Sequence, residues 1–367
     1  MTDFDKEYIK LLKDIVENGQ ERPSRSGDVI SVFGRSMRFD LKKGIPLLTI
    51  RKIFTKGVIY ELLWFLRGET NIKYLLENGT NIWTDDAYRY YKQKVDRHNA
   101  IFHSDHEGKE DIFNNYKHID CATKDEFRER TLNDQYEEFL NCMCGTVERY
   151  RYGDVGDIYG KQWRKYGDTY TDQIQDIVNL LISDPTSRRL VCFAYNPDAI
   201  RHVALPPCHV MFQMYTRKLS IKERVNYAME NMVEGVFSNP TKEYLDNLRI
   251  PKYGLSCMFT MRSNDFCLGA PSNLFSYGLL TYMIAHVTNM VPDELIYSVG
   301  DCHIYKNHMD GVNKMISEYE KRKDEDTIYP KIVFNRDLYS IDKFQYDDIS
   351  VVDYKPGDVI KFELNVG

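Results

Sequence analysis

The sequence predicts an α+β fold. Segments with helical spacing of apolar residues and segments with strand-like alternation occur throughout, but they do not alternate strictly as they would around a doubly wound parallel sheet. Hydrophobic residues make up 43% of the 367 residues and charged residues 28%, which is typical of a globular protein and excludes a disordered one. This length is sufficient for a substantial core.

The first predicted elements along the chain are helices and one strand. Residues 3–18 place apolar side chains on one helical face, and Gly19 supplies a C-terminal stop. Residues 29–40 alternate as in a strand. The apolar helical stripe at residues 57–67 contains one acid, Glu61. Because an unpaired buried carboxylate is costly, Glu61 requires an explanation.

Later elements keep this mixed order. They are a short helix after Thr70, strands at 190–195, 208–216 and 255–262, a helix at 273–290, a strand at 294–300, a helix at 303–322 and a strand at 330–334. Two polar blocks, residues 84–152 and 217–253, interrupt the pattern as insertions would. Residues 95–150 hold 13 acidic and 7 basic side chains, a net charge of −6 that equals that of the whole chain.

Charge and cysteine spacing limit the partners and the compartment. A net charge of −6 gives no general attraction for nucleic acids or anionic membranes, so phosphate binding would depend on local arginines. The apolar runs fall short of the ~20 residues that cross a bilayer, and the N-terminus lacks the features of a signal peptide. The eight cysteines show no disulfide-framework spacing, so we expect thiols and a cytoplasmic location.

Cys208 is the first candidate for chemistry. Pro206 and Pro207 fix the backbone before it, so the thiol is presented rigidly at the start of a predicted strand. Taken alone, Cys208 is compatible with a buried structural cysteine or with a nucleophile, and a nucleophile needs nearby cations to lower its pKa.

Arginines could supply these cations. Arg188 and Arg189 are adjacent, and Arg25 and Arg262 are each followed by a serine. Guanidinium groups bind phosphate oxygens bidentately, so these segments predict a phosphate cradle if the fold brings them together. Each arginine alone is equally compatible with a solvated surface position.

A longer set of motifs spans nearly the whole chain. It consists of Arg25-Ser26-Gly27, Phe33-Gly34, Glu61-Leu62-Leu63-Trp64-Phe65-Leu66, Gly68-Glu69-Thr70-Asn71, Ile82-Trp83, Tyr159-Gly160-Lys161-Gln162-Trp163-Arg164, Ser187-Arg188-Arg189, Pro206-Pro207-Cys208-His209, Arg262-Ser263, Asp265, Leu268-Gly269, Asn273, Asp301, His303 and Tyr305. In this order the motifs resemble the thymidylate synthase family. The resemblance implies one α+β catalytic domain over residues 1–367 with insertions at about 84–152 and 217–253. It also implies a twisted mixed β-sheet with flanking helices and a homodimer packed sheet to sheet.

The resemblance further implies transfer of a one-carbon unit from 5,10-methylenetetrahydrofolate, the co-substrate, to C5 of dUMP. Cys208 would add to C6 of the uracil ring, because a soft thiolate suits conjugate addition and can leave again. The substrate phosphate and the arginines would favour the thiolate. Glu61, Tyr159 and His209 would belong to the proton-transfer network around the pyrimidine O4. No nucleic acid, membrane or metal is expected as a partner.

Binding residues follow from the same resemblance. Asn273 would hydrogen-bond the pyrimidine edge, where its amide suits uracil N3–H and O4 and favours dUMP over dCMP. Asp265 would contact the pterin ring and take part in catalysis. The 5′-phosphate would be held by Arg25, Arg188, Arg189, Arg262 and Ser263, with one or both of Arg188 and Arg189 reaching across the dimer. The ribose would be held by His303 and Tyr305, and the folate by Ile82, Trp83, Leu268 and Gly269.

The chain departs from the family pattern on the folate side. Ser272 stands where a Phe is usual, and Asp86 stands where a second Trp is usual. The chain ends in IKFELNVG, residues 360–367, where the family has a short apolar tail that closes over the folate. The nucleotide-binding residues, in contrast, match.

Three functions are therefore weighed. Synthases exclude water and reduce the exocyclic methylene with a hydride from the folate, whereas hydroxymethylases admit water to it. The polar tail and loop favour hydration, so we expect a deoxyuridylate hydroxymethylase of the kind found in bacteriophages, which would act in the host cytoplasm. A thymidylate synthase that makes dTMP and dihydrofolate is the alternative. A binding protein without catalysis is disfavoured because Cys208, Glu61 and Asn273 are retained.

Histidines and cysteines of the first insertion invite comparison with a metal site. They are His98, His103, His106, His118, Cys121, Cys142 and Cys144. Their spacing matches no usual zinc pattern, and Cys142 and Cys144 lack the two-residue gap of a zinc knuckle. We therefore expect dispersed side chains and no metal.

Overall fold

The computed structural model describes residues 1–102, 118–141, 146–235, 240–325 and 327–365. Its strands are β1 (Gln20–Arg22), β2 (Val29–Asp40), β3 (Tyr136–Asn141), β4 (Thr146–Arg151), β5 (Val191–Phe193), β6 (His209–Lys218), β7 (Tyr253–Asp265), β8 (Val291–Tyr305), β9 (Lys331–Phe334) and β10 (Ile349–Val352). Six of them form the central sheet, in the order β1-β2-β8-β7-β6-β5. Strands β7 and β8 are parallel, and the other neighbours in this sheet are antiparallel. The predicted mixed sheet is confirmed.

The helices flank this sheet. They are α1 (Asp3–Asn18), α2 (Thr55–Leu66), α3 (Lys73–Glu77), α4 (Thr84–Phe102), α5 (Lys124–Leu132), α6 (Tyr159–Arg164), α7 (Gln173–Ser183), α8 (Ile221–Glu230), α9 (Lys242–Asn247), α10 (Gly269–Val287) and α11 (Met309–Arg322). Helix α10 is the crossover between the parallel strands β7 and β8, and it is buried on nearly all sides because its residues are apolar around the whole circumference. None of the helices in the described ranges is long and apolar enough to cross a membrane.

Most predicted elements are present, and one boundary was wrong. The predicted helix at 303–322 begins at Met309, because His303 and Tyr305 belong to β8 and a 3-10 turn follows at Lys306–His308. Alternation explains the difference, since Cys302 and Ile304 are buried while His303 and Tyr305 are partly exposed. Pairing with β2 extends the strand beyond the 300 limit that we predicted from apolar content.

The two polar blocks differ in how they pack. The first contributes α4, α5 and the β3–β4 hairpin, and its aromatic side chains, including Tyr91, Phe127 and Phe139, join the main hydrophobic core. The second lies between β6 and β7 as α8 and α9. It has a small core of its own, which consists of Val225, Ala228, Leu245 and Ile250.

Strand register brings the predicted functional residues to one end of the sheet. His209 opens β6 and lies opposite Met261 on antiparallel β7. On the parallel pair, Asp265 of β7 lies opposite His303 of β8. The start of β6 and the ends of β7 and β8 therefore meet, and this end of the sheet forms the candidate site.

Candidate active site

Cys208 is held by its backbone. Its N–H donates to the Tyr159 hydroxyl at 2.8 Å, and its carbonyl accepts from the Arg262 N–H at 2.9 Å. The Arg262 side chain donates to the carbonyls of Pro207 at 2.9 Å and Pro206 at 2.7 Å. One residue of β7 thus fixes the turn that presents the thiol, which agrees with the rigid presentation predicted from the proline pair.

The electrostatics of Cys208 differ from the expectation. Burial raises the pKa of the thiol above its ordinary value, Arg262 lowers it less strongly, and Asp86 raises it further. The expected effect of arginine is therefore right in sign for Arg262, but burial outweighs it.

Glu61 lies on α2 and has a specific partner. The Trp83 indole N–H donates to its carboxylate at 2.7 Å. Burial raises the pKa of Glu61 to about 7, and the hydrogen bond from Trp83 offsets part of this rise. Near neutral pH the carboxyl can therefore both give and accept a proton, as general acid–base catalysis requires. Trp83 itself is buried against Trp64 and Tyr159, whereas Ile82 before it is exposed.

A hydrogen-bonded chain orients the amide of Asn273. The Asn273 Oδ1 accepts from His209 Nε2 at 3.1 Å, which leaves His209 Nδ1 to accept from the Tyr277 hydroxyl at 3.2 Å. Burial lowers the pKa of His209 to about 4, so this ring is neutral. The Asn273 amide N–H donates in turn to Asn264 Oδ1 at 3.3 Å.

Asn264 and Tyr277 were not anticipated as functional residues. Tyr277 lies four residues after Asn273 on α10, a spacing that places both on one helical face and could have been noticed. Asn264 is buried and is held by the Tyr297 hydroxyl. Its contact with Asn273 depends on the β7–α10 turn, so the sequence carried no signal for it.

The turn after β7 is organised by Asp265. Its Oδ1 accepts from the backbone N–H of Cys267 at 2.9 Å and of Leu268 at 3.1 Å. Among the described residues, the hydrogen bonds of this carboxylate use Oδ1, so Oδ2 can accept from the amino or ring N–H groups of a pterin. Gly269 follows, where a Cβ would lie 2.6 Å from Asn264 Oδ1. Only glycine permits this close approach.

His303 and Tyr305 lie side by side at the end of β8. Their rings are perpendicular, with centroids 5.3 Å apart. His303 Nδ1 lies 3.0 Å from Asp301 Oδ1, and this hydrogen bond lowers the pKa of Asp301. The carboxylate thereby orients the ring of His303.

The predicted phosphate residues are only partly gathered. Arg262 and Ser263 lie beside Cys208, and the exposed Arg25 is near enough to Asp86 to lower the pKa of that carboxyl. Arg188 and Arg189 are exposed, and Arg189 lines a cavity of about 510 Å³ beside α7. Cys208 is not among the residues that line this cavity.

Three of the residues considered for a metal site, His98, His118 and Cys121, lie among the described residues. His103, His106, Cys142 and Cys144 lie outside the described residues. His98 is buried with its ring 5.9 Å from that of Phe139, whereas Cys121 is exposed.

Comparisons with known proteins identify the family of this chain. A family profile described as "Thymidylate synthase" matches residues 6–366. The thymidylate synthase of Mycoplasma mobile is 34% identical over 361 residues, which cover 98% of this chain and 99% of that protein. The thymidylate synthases of Listeria monocytogenes and Listeria innocua are each 34% identical over 366 residues, covering 98% of this chain and 100% of theirs. The chain belongs to the thymidylate synthase family.

Proposed function

We propose that this protein is a deoxyuridylate hydroxymethylase, of the kind that bacteriophages use to make modified DNA precursors. As a member of its family it is a one-carbon transferase that acts on dUMP with methylenetetrahydrofolate as co-substrate. The proposal concerns the last step, in which water rather than hydride reaches the methylene carbon on C5. It also assigns residues 1–367 to one catalytic domain with insertions at about 84–152 and 217–253.

The first steps use the fixed groups of the site. Cys208 adds to C6 of the uracil ring, and the electron pair moves towards O4, which makes C5 nucleophilic. Glu61, with a pKa of about 7, exchanges protons around O4. Asn273, oriented by neutral His209, presents its amide to the N3–H and O4 edge. Methylenetetrahydrofolate supplies the carbon that C5 attacks.

The observation that carries hydration over reduction is the ion pair of Asp86 and Arg89. These side chains meet at 2.7 Å, are 19% and 18% exposed, and lie close enough to Cys208 that Asp86 affects its pKa. A charged pair close to the nucleophile opposes the exclusion of water, which hydride transfer requires.

We also propose that two copies pack sheet to sheet. The face of the central sheet opposite α10 exposes large apolar side chains, among them Phe33, Phe193, Tyr215 and Met258. Large apolar side chains exposed on one face of a sheet are typical of an interaction surface. Arg188 and Arg189 lie just before β5 at the edge of this face, so a partner chain would place them at the phosphate of the first chain. Tyr215→Glu should reduce both the dimer fraction in sedimentation and the affinity for dUMP.

Product analysis tests the function. The full-length protein is incubated with dUMP and methylenetetrahydrofolate, and the nucleotides are separated. We expect 5-hydroxymethyl-dUMP and tetrahydrofolate; dTMP and dihydrofolate as the only products would reject the hydroxymethylase. Exchange of the C5 proton of dUMP with solvent, lost in Cys208→Ala, separates an enzyme from a binding protein. A wild type without exchange would contradict any catalytic function.

A further inference from the structure

We propose that Asp86 is the general base of the hydration step, the group that removes a proton from the water attacking the methylene carbon on C5. This inference rests on the proposed hydroxymethylase function and names the residue that performs its distinguishing step.

The position of Asp86 is fixed from two sides. It lies in the first turn of α4, three residues after Trp83, which donates to Glu61. Three residues further along, Arg89 donates both to Asp86 at 2.7 Å and to the carbonyl of Ala204 at 3.0 Å. Ala204 belongs to the segment that leads into the proline turn before Cys208. The carboxylate therefore lies on the same helix as Trp83, is joined through Arg89 to the segment before Cys208, and is near enough to Cys208 to raise its pKa.

Assistance to the nucleophile does not explain this carboxylate. Its negative charge raises the pKa of Cys208 and so disfavours the thiolate. A charge that is four-fifths buried beside a nucleophile and opposes its ionisation is costly to keep. After the thiol has added to the ring, Cys208 is an uncharged thioether, so the negative charge of Asp86 no longer opposes it. A role in a later step therefore explains the presence of this carboxylate.

The surrounding charges suit a base. Burial raises the pKa of Asp86 above the ordinary value of a carboxyl, while Arg89 and Arg25 act against this and Asp85 adds to it. Burial makes the carboxylate a stronger base than an exposed one, and the arginines keep it ionised enough to accept a proton.

The step balances without a further reactant. The water oxygen forms a bond to the methylene carbon, and its proton moves to the Asp86 carboxylate. The electron pair of the exocyclic double bond moves through C5 and C4 to O4 as an enolate. Collapse of the enolate re-forms the carbonyl and the C5–C6 double bond and expels Cys208 as a thiolate. Asp86 then returns its proton to solvent, and 5-hydroxymethyl-dUMP remains.

The test measures one ratio of two rates in Asp86→Asn and in the wild type. The rate of 5-hydroxymethyl-dUMP formation is divided by the rate of C5 proton exchange, which reports the earlier steps and cancels any change in folded fraction. We expect this ratio to fall about 10²-fold, a typical contribution of a general base, while exchange stays within about twofold. The share of dTMP among the products should rise. Asp86→Glu, which keeps a carboxylate, should recover most of the ratio.

Asp85→Asn is the matched control. It removes the neighbouring acid of the same helical turn, which is 38% exposed and paired with Lys124. Asp85 acts on Asp86 only by raising its pKa, so the ratio should change far less than in Asp86→Asn. An unchanged ratio in Asp86→Asn, or a parallel fall of exchange and product, would overturn the assignment and leave a helix-stabilising ion pair. A wild type that forms only dTMP would overturn the proposed function and this inference together.

Discussion

Replacement of Glu61 by glutamine tests the most perturbed carboxyl of the site. Its pKa of about 7 in the folded protein lies about 2.5 above the ordinary value of 4.5, a difference that corresponds to about 3 kcal/mol. Folded Glu61 holds its proton between pH 4.5 and 7 where the unfolded chain has released it. The stabilisation that comes from this bound proton is therefore complete below pH 4.5. It decreases as the pH rises from 4.5 to 7, and above pH 7 the free energy of unfolding no longer changes on account of Glu61.

Glutamine is neutral at every pH, and its Oε1 can still accept from Trp83. The free energy of unfolding of Glu61→Gln, relative to the wild type, should therefore rise by about 3 kcal/mol between pH 4.5 and 8. Urea unfolding at several pH values and one protein concentration measures this. Glu77→Gln, which removes a carboxylate 51% exposed on α3, serves as the control. A Glu61→Gln difference that stays within about 0.5 kcal/mol across this range would refute the burial argument.

Three further substitutions test individual contacts. Tyr159→Phe removes the acceptor of the Cys208 N–H, so unfolding should cost about 1–3 kcal/mol less and C5 exchange should slow; equal stability in urea would contradict the role of this bond. Gly269→Ala places a Cβ against Asn264 Oδ1 and should weaken dUMP binding measured by calorimetry, by disturbing the Asn264–Asn273 contact, and unaltered affinity would show that the turn can adjust. Asp293→Ala leaves Arg217 and Lys42 without their shared carboxylate, which is 4% exposed, and should lower the unfolding free energy by about 3–5 kcal/mol; a loss below about 1 kcal/mol would mean that water replaces it.

Local pattern predicted the fold where burial is periodic. The face of α1 that carries Tyr8 and Leu12 follows helical spacing, and the structure buries it. Alternation along β2 likewise matches its burial near Met37 and Phe39. The end of β8 was misjudged because its residues are polar functional groups, so apolar content no longer marked the strand. Pairing with β2 decides the structure there, and pairing partners are distant in sequence.

Pattern also failed to predict how the first polar block, residues 84–152, packs. Its polar composition indicated an insertion, yet Tyr91, Phe127 and Tyr152 are buried in the main core. The charged side chains of this segment lie on the surface and its aromatic rings lie in the core, an arrangement that a count of residue types cannot show. Tyrosine makes this possible, because its ring fills a core while its hydroxyl finds a partner, as Tyr152 does in Arg130 at 2.6 Å.

The site shows a similar division between chemistry and arrangement. Residue type singled out Cys208 and Glu61 as candidates, and the family resemblance supplied their expected roles and that of Asn273. Residue type could not show that the Arg262 side chain donates its hydrogen bonds to the carbonyls of Pro206 and Pro207. A prediction from residue type therefore overstated how far arginine favours the thiolate of Cys208. If the guanidinium of Arg262 both braces the turn and meets the substrate phosphate, then binding of dUMP tightens the same turn that presents the thiol. Arg262→Lys, which keeps the charge but cannot span two carbonyls, should then impair C5 exchange more than it weakens the binding of dUMP.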